Sequence, residues 1–217
     1  MRRRHPVSIS LAALICAVTA LSAQPRQASQ REMADAEHDT PLLADVLELQ
    51  PGMTVADVGA GMGAMSIVLA KRLGPSGRVL STDIGANQLA ALREAVTREQ
   101  LTNMTVIEGA PASTNLPDAC CDAIFMRDVY HHITDVSAFN RSLLAALKPG
   151  GRLAIIDFEP RKGSRLPEGV NPNRGGHGVT AAIVEQEVRA AGLTFDRTIA
   201  NWPPGSTNFF LVLFRKP

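Results

Sequence analysis

The stretch VADVGAGMG, residues 55 to 63, restricts this chain more than any other. Small and β-branched residues running into a glycine turn read as a strand, a tight turn and the start of a helix. Gly59, Gly61 and Ala64 spell GxGxxA, a pattern of dinucleotide-binding enzymes. Asp57, just ahead of them, allows a second spelling, DxGxGxG, which suits a different ligand. The rest of the chain has to decide between the two.

Downstream, strands and helices alternate. Strands are expected at 54–58, 78–84, 104–108, 122–128 and 152–158, with helices through Met65 to Leu73, from Asn87 to Arg98 and from Val136 to Leu147. These strands are apolar runs rather than clean alternations, as expected when helices cover both faces of a parallel sheet. LKPGG, 147–151, reads as a helix end followed by a turn into the next strand. The rhythm then breaks: a helix at 180–191 is followed by strands at 193–201 and 208–216, joined by a short turn at Pro203-Pro204-Gly205. Such neighbours must be antiparallel, because a parallel pair needs a crossover of a dozen or so residues. The expected fold is therefore α/β, a Rossmann-like doubly wound sheet of seven strands with an antiparallel C-terminal hairpin.

Upstream, Met1-Arg2-Arg3-Arg4 precedes the apolar run VSISLAALICAVTALSA, and Ala20 or Ala23 offers a small residue before a cleavage point. Residues 1–23 thus read as a signal peptide. The uninterrupted apolar core, Leu11 to Val18, falls well short of the roughly 20 residues that span a bilayer as a helix, so cleavage is favoured over an uncleaved anchor. The expected location is exported, periplasmic or secreted, if the signal is used, and cytoplasmic otherwise. Residues 24–39 are polar and aperiodic and read as a linker. The domain then runs over 40–217, opening with a helix capped by Thr40 with Pro41 in its first turn and stopped by Pro51-Gly52.

Loss of Arg2, Arg3 and Arg4 takes the 22 basic residues to 19 against 21 acidic ones, a nearly neutral mature chain. With aromatics at 4% as well, a nucleic-acid surface is not expected. Cys16 lies in the signal, leaving the adjacent pair Cys120 and Cys121. Neighbouring cysteines bond to each other only through a strained ring, so no disulfide framework is expected, and the two read as small packing residues.

VADVGAGMG, the acid in STDI, CDAIFMRDVYHHI, LKPGGRLAIIDF and the closing hairpin occur in an order that resembles class I S-adenosylmethionine-dependent methyltransferases, most closely the type 11 small-molecule branch. The similarity runs from about Leu42 to Arg215. It implies S-adenosylmethionine as cofactor and methyl transfer to a small-molecule acceptor. By this resemblance Gly59, Gly61 and Gly63 let main-chain amides meet the methionyl part, while Asp57 organises the loop and favours the positive end of the ligand. Asp83 accepts from the ribose hydroxyls or caps the next helix, Ile84 packs on the adenine, and Arg127 lies at the cofactor side of the site. Family members commonly carry Gly-Asp-Ala after the third strand, whereas this chain has Glu108-Gly109-Ala110-Pro111. Either Glu108, the backbone around Ala110, or Asn115 then serves the adenine, or the adenine is held more loosely than in the family.

The acceptor side is expected at RDVYHHI, 127–133, beyond the carboxyl ends of the strands. Tyr130, His131 and His132 form the single cluster of proton-transfer groups in the sequence, and histidine titrates in the range a general base needs. Adjacent histidines miss the i,i+4 spacing of a helical metal pair, and no acidic or cysteine companion completes a set, so no metal is expected. The loop 159–179 can cover the acceptor like a lid, with His177 either reaching substrate or sitting in a solvated turn, and Arg174 recognising an anionic acceptor on the same terms. Two other readings stand beside methyl transfer. An NAD-dependent oxidoreductase is opposed by Asp57, LKPGG and the final hairpin. A nucleoside- or partner-binding protein of the same fold without turnover is favoured by Ala110 and by the export signal. Membrane contact is expected only through the N-terminal segment if it stays uncleaved.

Overall fold

The computed structural model describes residues 26–161 and 163–217. Residues 1–23, which the sequence reading takes as a signal peptide, lie outside them. The chain order is α1 (Gln30–Val46), β1 (Thr54–Val58), α2 (Ala64–Leu73), β2 (Arg78–Asp83), α3 (Ala86–Arg98), β3 (Met104–Glu108), β4 (Cys121–Arg127), α4 (Val136–Ala146), β5 (Leu147–Phe158), α5 (Ala181–Ala190), β6 (Thr194–Ile199) and β7 (Phe209–Arg215). The seven strands form one sheet in the order β3-β2-β1-β4-β5-β7-β6. β1 to β5 pair in parallel, while β7 runs antiparallel to both β5 and β6. This is the expected doubly wound sheet with its closing hairpin.

Residues of each central strand alternate between two cores, as the period of two requires. Val55 and Phe125 face α1, α2 and α3 through Leu43, Ile67 and Leu92. Ala56 and Ile124 face α4 and α5 through Leu143, Val184 and Val188. Burial on both faces explains why these strands read as continuous apolar runs.

Three features depart from the sequence reading. α1 begins at Gln30 rather than at the Thr40–Pro41 pair, so most of the expected linker is helix and Pro41 lies inside it. Ser29 caps this helix reciprocally: its Oγ accepts from the Glu32 amide at 3.2 Å and its own amide donates to the Glu32 carboxylate at 2.6 Å. LKPGG is not a free turn but the irregular start of β5, where Cys121 pairs with Leu147 and the next partners are Ala123 and Arg152. Lys148 Nζ closes the irregularity on Asp122 at 2.8 Å. Finally, Cys120 and Cys121 are bonded to each other at the start of β4, so they are more than packing residues, although a bond between neighbours still cross-links no distant parts of the fold. Among the described residues, no helix is long and apolar enough to cross a membrane.

Candidate functional site

The strand order reverses at β1, which has β2 on one side and β4 on the other. At such a switch point the loops leave in opposite directions and open a crevice beyond the carboxyl ends of the strands. Two adjoining hollows of about 570 and 440 Å³ occupy this place and share Gly59, Asp83 and Val129.

The glycine turn forms the floor. Gly59 holds φ +77°, and a Cβ there would come within 2.7 Å of Val129 Cγ1, so side-chain-free backbone is required where the β1 and β4 loops touch. Gly63 holds φ +85°, but a Cβ there would press on Leu92 at 2.8 Å. It is buried and does not line the crevice, so its assignment to the cofactor is corrected: it seats α2 against α3. The loop amides are also spoken for. Gly59 and Ala60 donate to Thr82 O, and Gly63 to Ala60 O, each at 2.9 Å. What the loop presents to a ligand is instead the first turn of α2, which has no side-chain cap and borders the first hollow at Ala64 and Met65. Its uncapped amides and dipole favour an anionic group there, such as a carboxylate.

One role expected of Asp57, organising the loop, falls to Asp83. Asp57 is buried and accepts from Ser66 Oγ at 2.7 Å rather than from the loop. Desolvation pushes its carboxyl up to about 7, the Ser66 hydrogen bond working against this and the Asp83 charge adding to it. Asp83 is the loop organiser: it accepts from the Gly61 amide at 2.9 Å on one oxygen and from the Ile84 and Gly85 amides at 2.8 and 3.0 Å on the other. Three of about four carboxylate lone-pair positions are thereby used, which leaves room for one ribose hydroxyl more readily than for two. Ile84 is 63% exposed at the edge of the second hollow, an apolar surface awaiting a flat partner. Arg127 lines the first hollow, held by Asp39 of α1 at 2.8 Å.

After β3 the wall is built by Gly109, Ala110, Pro111, Ser113 and Thr114. Ala110 and Ser113 exchange backbone hydrogen bonds of 2.7 and 3.1 Å, which closes a tight turn. Glu108 faces solvent and does not line the crevice; its carbonyl is tied to Asn115 Nδ2 at 3.0 Å. Neither of those side chains replaces the missing acid, and the backbone around Ala110 is the group that borders the second hollow.

Of the four proton-transfer candidates, His132 lines the crevice. Although His132 is exposed, partial desolvation at the crevice wall, then the neighbouring His131 and His177, hold its imidazole below the usual histidine range, which favours the neutral form able to accept a proton. Tyr130 is excluded from that role: it is buried, receives Asn140 Nδ2 at 2.8 Å, donates to Glu187 at 3.1 Å, and its hydroxyl is pushed far above the ordinary tyrosine range, chiefly by burial. Arg174, expected at the acceptor, is also buried; its guanidinium sits 3.0 Å from Glu187 and over the Tyr130 ring at 5.4 Å, so its charge is met electrostatically inside the protein. His131 is buried against Asp157, Nδ1 to Oδ1 at 2.8 Å, and its Nε2 lies 3.0 Å from Nε2 of His177. His177 therefore belongs neither to a solvated turn nor to a free lid. It is the companion that sequence spacing did not supply to the adjacent histidines.

Sequence reasoning missed the contribution of α1, whose Arg31, Glu32 and Asp35 border the first hollow and whose Asp39 anchors Arg127. One signal was available: Ser29-Gln30-Arg31-Glu32 has the spacing of a capping box.

Comparison with known proteins agrees with this geometry. A family model described as a methyltransferase domain matches residues 56–155. The demethylmenaquinone methyltransferase of Listeria monocytogenes serotype 4a is 34% identical over 112 residues, 52% of this chain and 47% of that protein. The 2-methyl-6-phytyl-1,4-hydroquinone methyltransferase of Synechocystis is 33% identical over 119 residues, 55% of this chain and 36% of that protein. The match thus spans about half the length of the first of these relatives, and less of the second. A solved S-adenosylmethionine-dependent methyltransferase from Aquifex aeolicus superposes with a TM-score of 0.69 at 25% identity, covering 88% of this chain and 100% of that one.

Proposed function

We propose that the chain is a class I S-adenosylmethionine-dependent methyltransferase of the small-molecule branch, and that it methylates a small, ring-bearing acceptor of the hydroquinone type. The observation that carries the reading is the pair of adjoining hollows at the β1 switch point, one bordered by the α2 N-terminus, Asp57 and Arg127, the other bordered by exposed Ile84.

The residues fit the cofactor end by end. The first turn of α2 receives the methionyl carboxylate, with Arg127 beside it, and Asp57 offers charge to the ammonium. Asp83 takes a ribose hydroxyl, and Ile84 covers one face of the adenine. When bound, S-adenosylmethionine supplies a methyl group on a positively charged sulfur, transferred by in-line attack of the acceptor. What remains for the protein is alignment, exclusion of water and, for a hydroxyl or ring-carbon acceptor, removal of a proton. His132 has the position and the neutral form for that last task. The acceptor approaches over Val129, with His132 and Glu168 at the rim of the second hollow. The ring-bearing acceptor is supported by the names of the two quinol-ring relatives and by the apolar Ile133 and Phe139 beside His132.

Calorimetric titration with S-adenosylmethionine, S-adenosylhomocysteine and NAD tests the cofactor, with binding of the first two and not the third expected. Turnover with a set of hydroquinones then tests the acceptor; tight cofactor binding with no turnover on any of them would favour the binding protein without catalysis. We also propose export through the N-terminal segment, which a compartment-sensitive reporter fused to the C-terminus reads directly.

A further inference from the structure

His131 and His132 come from the short turn after β4, and His177 from the loop between β5 and α5, yet one ring nitrogen from each lies within 4.8 Å of the others. We propose that these three imidazoles bind a divalent transition metal of the zinc class at the rim of the crevice. Because ligation takes the His132 lone pair that the proposed function uses as base, the metal-free protein is the form in which His132 accepts a proton and the metal-loaded one is the form in which it does not.

The arrangement is built rather than incidental. Asp157 receives three donors, the His131 and Phe158 amides at 3.0 and 2.9 Å and His131 Nδ1 at 2.8 Å. A carboxylate so placed acts as acceptor, so Nδ1 of His131 carries the proton and Nε2 is left with its lone pair facing outward. A carboxylate behind a histidine with the far nitrogen free is the recurrent outer support of metal-ligating histidines. His177 is fixed from its own side: its amide donates to Ser164 Oγ at 2.8 Å and its carbonyl accepts from the Arg161 amide at 3.0 Å. Next to it, a Cβ at Gly178 would meet Phe158 O at 2.8 Å, so the strand end and the loop close tightly on each other.

The separation of His131 and His177 suits such an ion, and the His132 nitrogen is within reach of a small ring adjustment. Zinc–nitrogen bonds of about 2.0–2.1 Å in a tetrahedron place ligand nitrogens roughly 3.3 Å apart. The two Nε2 atoms of His131 and His177 stand 3.0 Å apart. A proton shared between them would account for two of the rings but not for the third. Imidazole ligands select zinc, cobalt, nickel or copper over magnesium and calcium, which take oxygen. The carboxylates of Asp128 and Asp157, grouped with His131, answer the positive charge. Three protein ligands leave a fourth position open, and because His132 lines the second hollow, that position faces the crevice.

The test uses the full chain without an affinity tag, stripped with chelator and titrated with Zn²⁺ against a chromophoric competitor, and with Co²⁺ for its visible spectrum. One equivalent is expected, with the tetrahedral Co²⁺ bands of nitrogen ligands and no thiolate charge-transfer band. Loss of an outer carboxylate partner alone costs about 10–100-fold in affinity, so H177Q and H132Q are each expected to weaken binding by at least ~100-fold, while H38Q leaves it unchanged. Binding no tighter than about millimolar, affinity in H177Q or H132Q equal to that of the unsubstituted protein, or a thiolate band from Cys120 and Cys121 would overturn the assignment. So would a proton shared by His131 and His177 that added Zn²⁺ does not displace in the imidazole nitrogen NMR spectrum. Circular dichroism checks the fold of each variant; if one does not fold, the wild-type Co²⁺ spectrum still decides. S-adenosylhomocysteine binding on the same samples separates failure of this site from failure of the cofactor reading.

Discussion

The two halves of the crevice are built on different principles. The half from β1 to β3 is made of short-range turns: each ligand-facing group sits within a few residues of a strand end, and backbone geometry places it. Gly59, Asp83 and Ile84 belong there. The half from β4 onward is assembled from pieces distant in sequence, with His177 and Glu168 from the loop before α5 and Asp157 at the end of β5. Where positioning is local, a motif is enough to find the site. Where it depends on two loops meeting, the same residue types have several possible fates, and burial sorts them.

That contrast can be broken most sharply at His132. In chelator-treated protein, replacing it by Gln is expected to lower turnover on an acceptor that loses a proton by about 10²-fold or more, the size of a general-base contribution, with S-adenosylhomocysteine affinity retained. Y130F, by comparison, should leave turnover in place and lower stability by about 1–3 kcal/mol through the buried partners it abandons. A Y130F enzyme that folds normally and does not turn over would return Tyr130 to the chemistry. On the cofactor side, D83A should weaken S-adenosylhomocysteine binding roughly 10–100-fold, the equivalent of about 1.5–3 kcal/mol for a hydrogen-bonded charge, because both the loop amides and the ribose lose their acceptor. Calorimetry on the two proteins at one pH reads this directly.

A subtler probe is pH. The Asp57 carboxyl moves from an ordinary 3.8 to about 7 in the folded chain. The folded state therefore holds this proton more tightly than the unfolded one, and Asp57 makes stability fall as pH rises from about 4 to about 7, with no further change above. Binding runs the other way: a ligand ammonium favours the ionised form, so S-adenosylhomocysteine affinity should rise up to roughly tenfold between pH 6 and 7.5. D57N should flatten both slopes and raise Tm at pH 8, by roughly 2–4 °C for each kcal/mol of burial penalty relieved. Thermal scans and titrations over that window check it; unchanged slopes in D57N would remove Asp57 from both roles. The smallest effect is expected at Ser29. S29A should cost about 1 kcal/mol through loss of the α1 cap, with a slight weakening of cofactor binding as Arg31 and Glu32 loosen at the rim.

The fold was largely legible because its signals are short in range. Apolar runs announced a sheet covered on both faces, and the brief turn at Pro203-Pro204-Gly205 required an antiparallel pair. α1 escaped for an instructive reason. Its N-terminal half is polar on most sides, so periodicity is weak, and Pro41 resembles a first-turn proline although the surrounding packing carries the helix through it. The site was legible to the same extent. Gly59, Asp57 and Asp83 were found at the crevice, but a glycine needed for a turn and one needed for helix packing look alike in sequence, and Gly63 proved to be the latter. Arg174 and Tyr130 read as reactive groups because their chemistry is visible in a sequence and their burial is not.

By itself the sequence determined the order of strands and helices and the glycine floor beside two carboxylates, and through these the resemblance to a family, since all of them follow from backbone preferences acting over a few residues. Only the tertiary structure decided that Asp83 rather than Asp57 gathers the loop, that α1 walls the cofactor side, and that three histidines share one point. Those outcomes depend on which buried polar groups find partners across the chain, and such pairing is settled when the loops pack, because an unpartnered buried group costs more than any local preference can return.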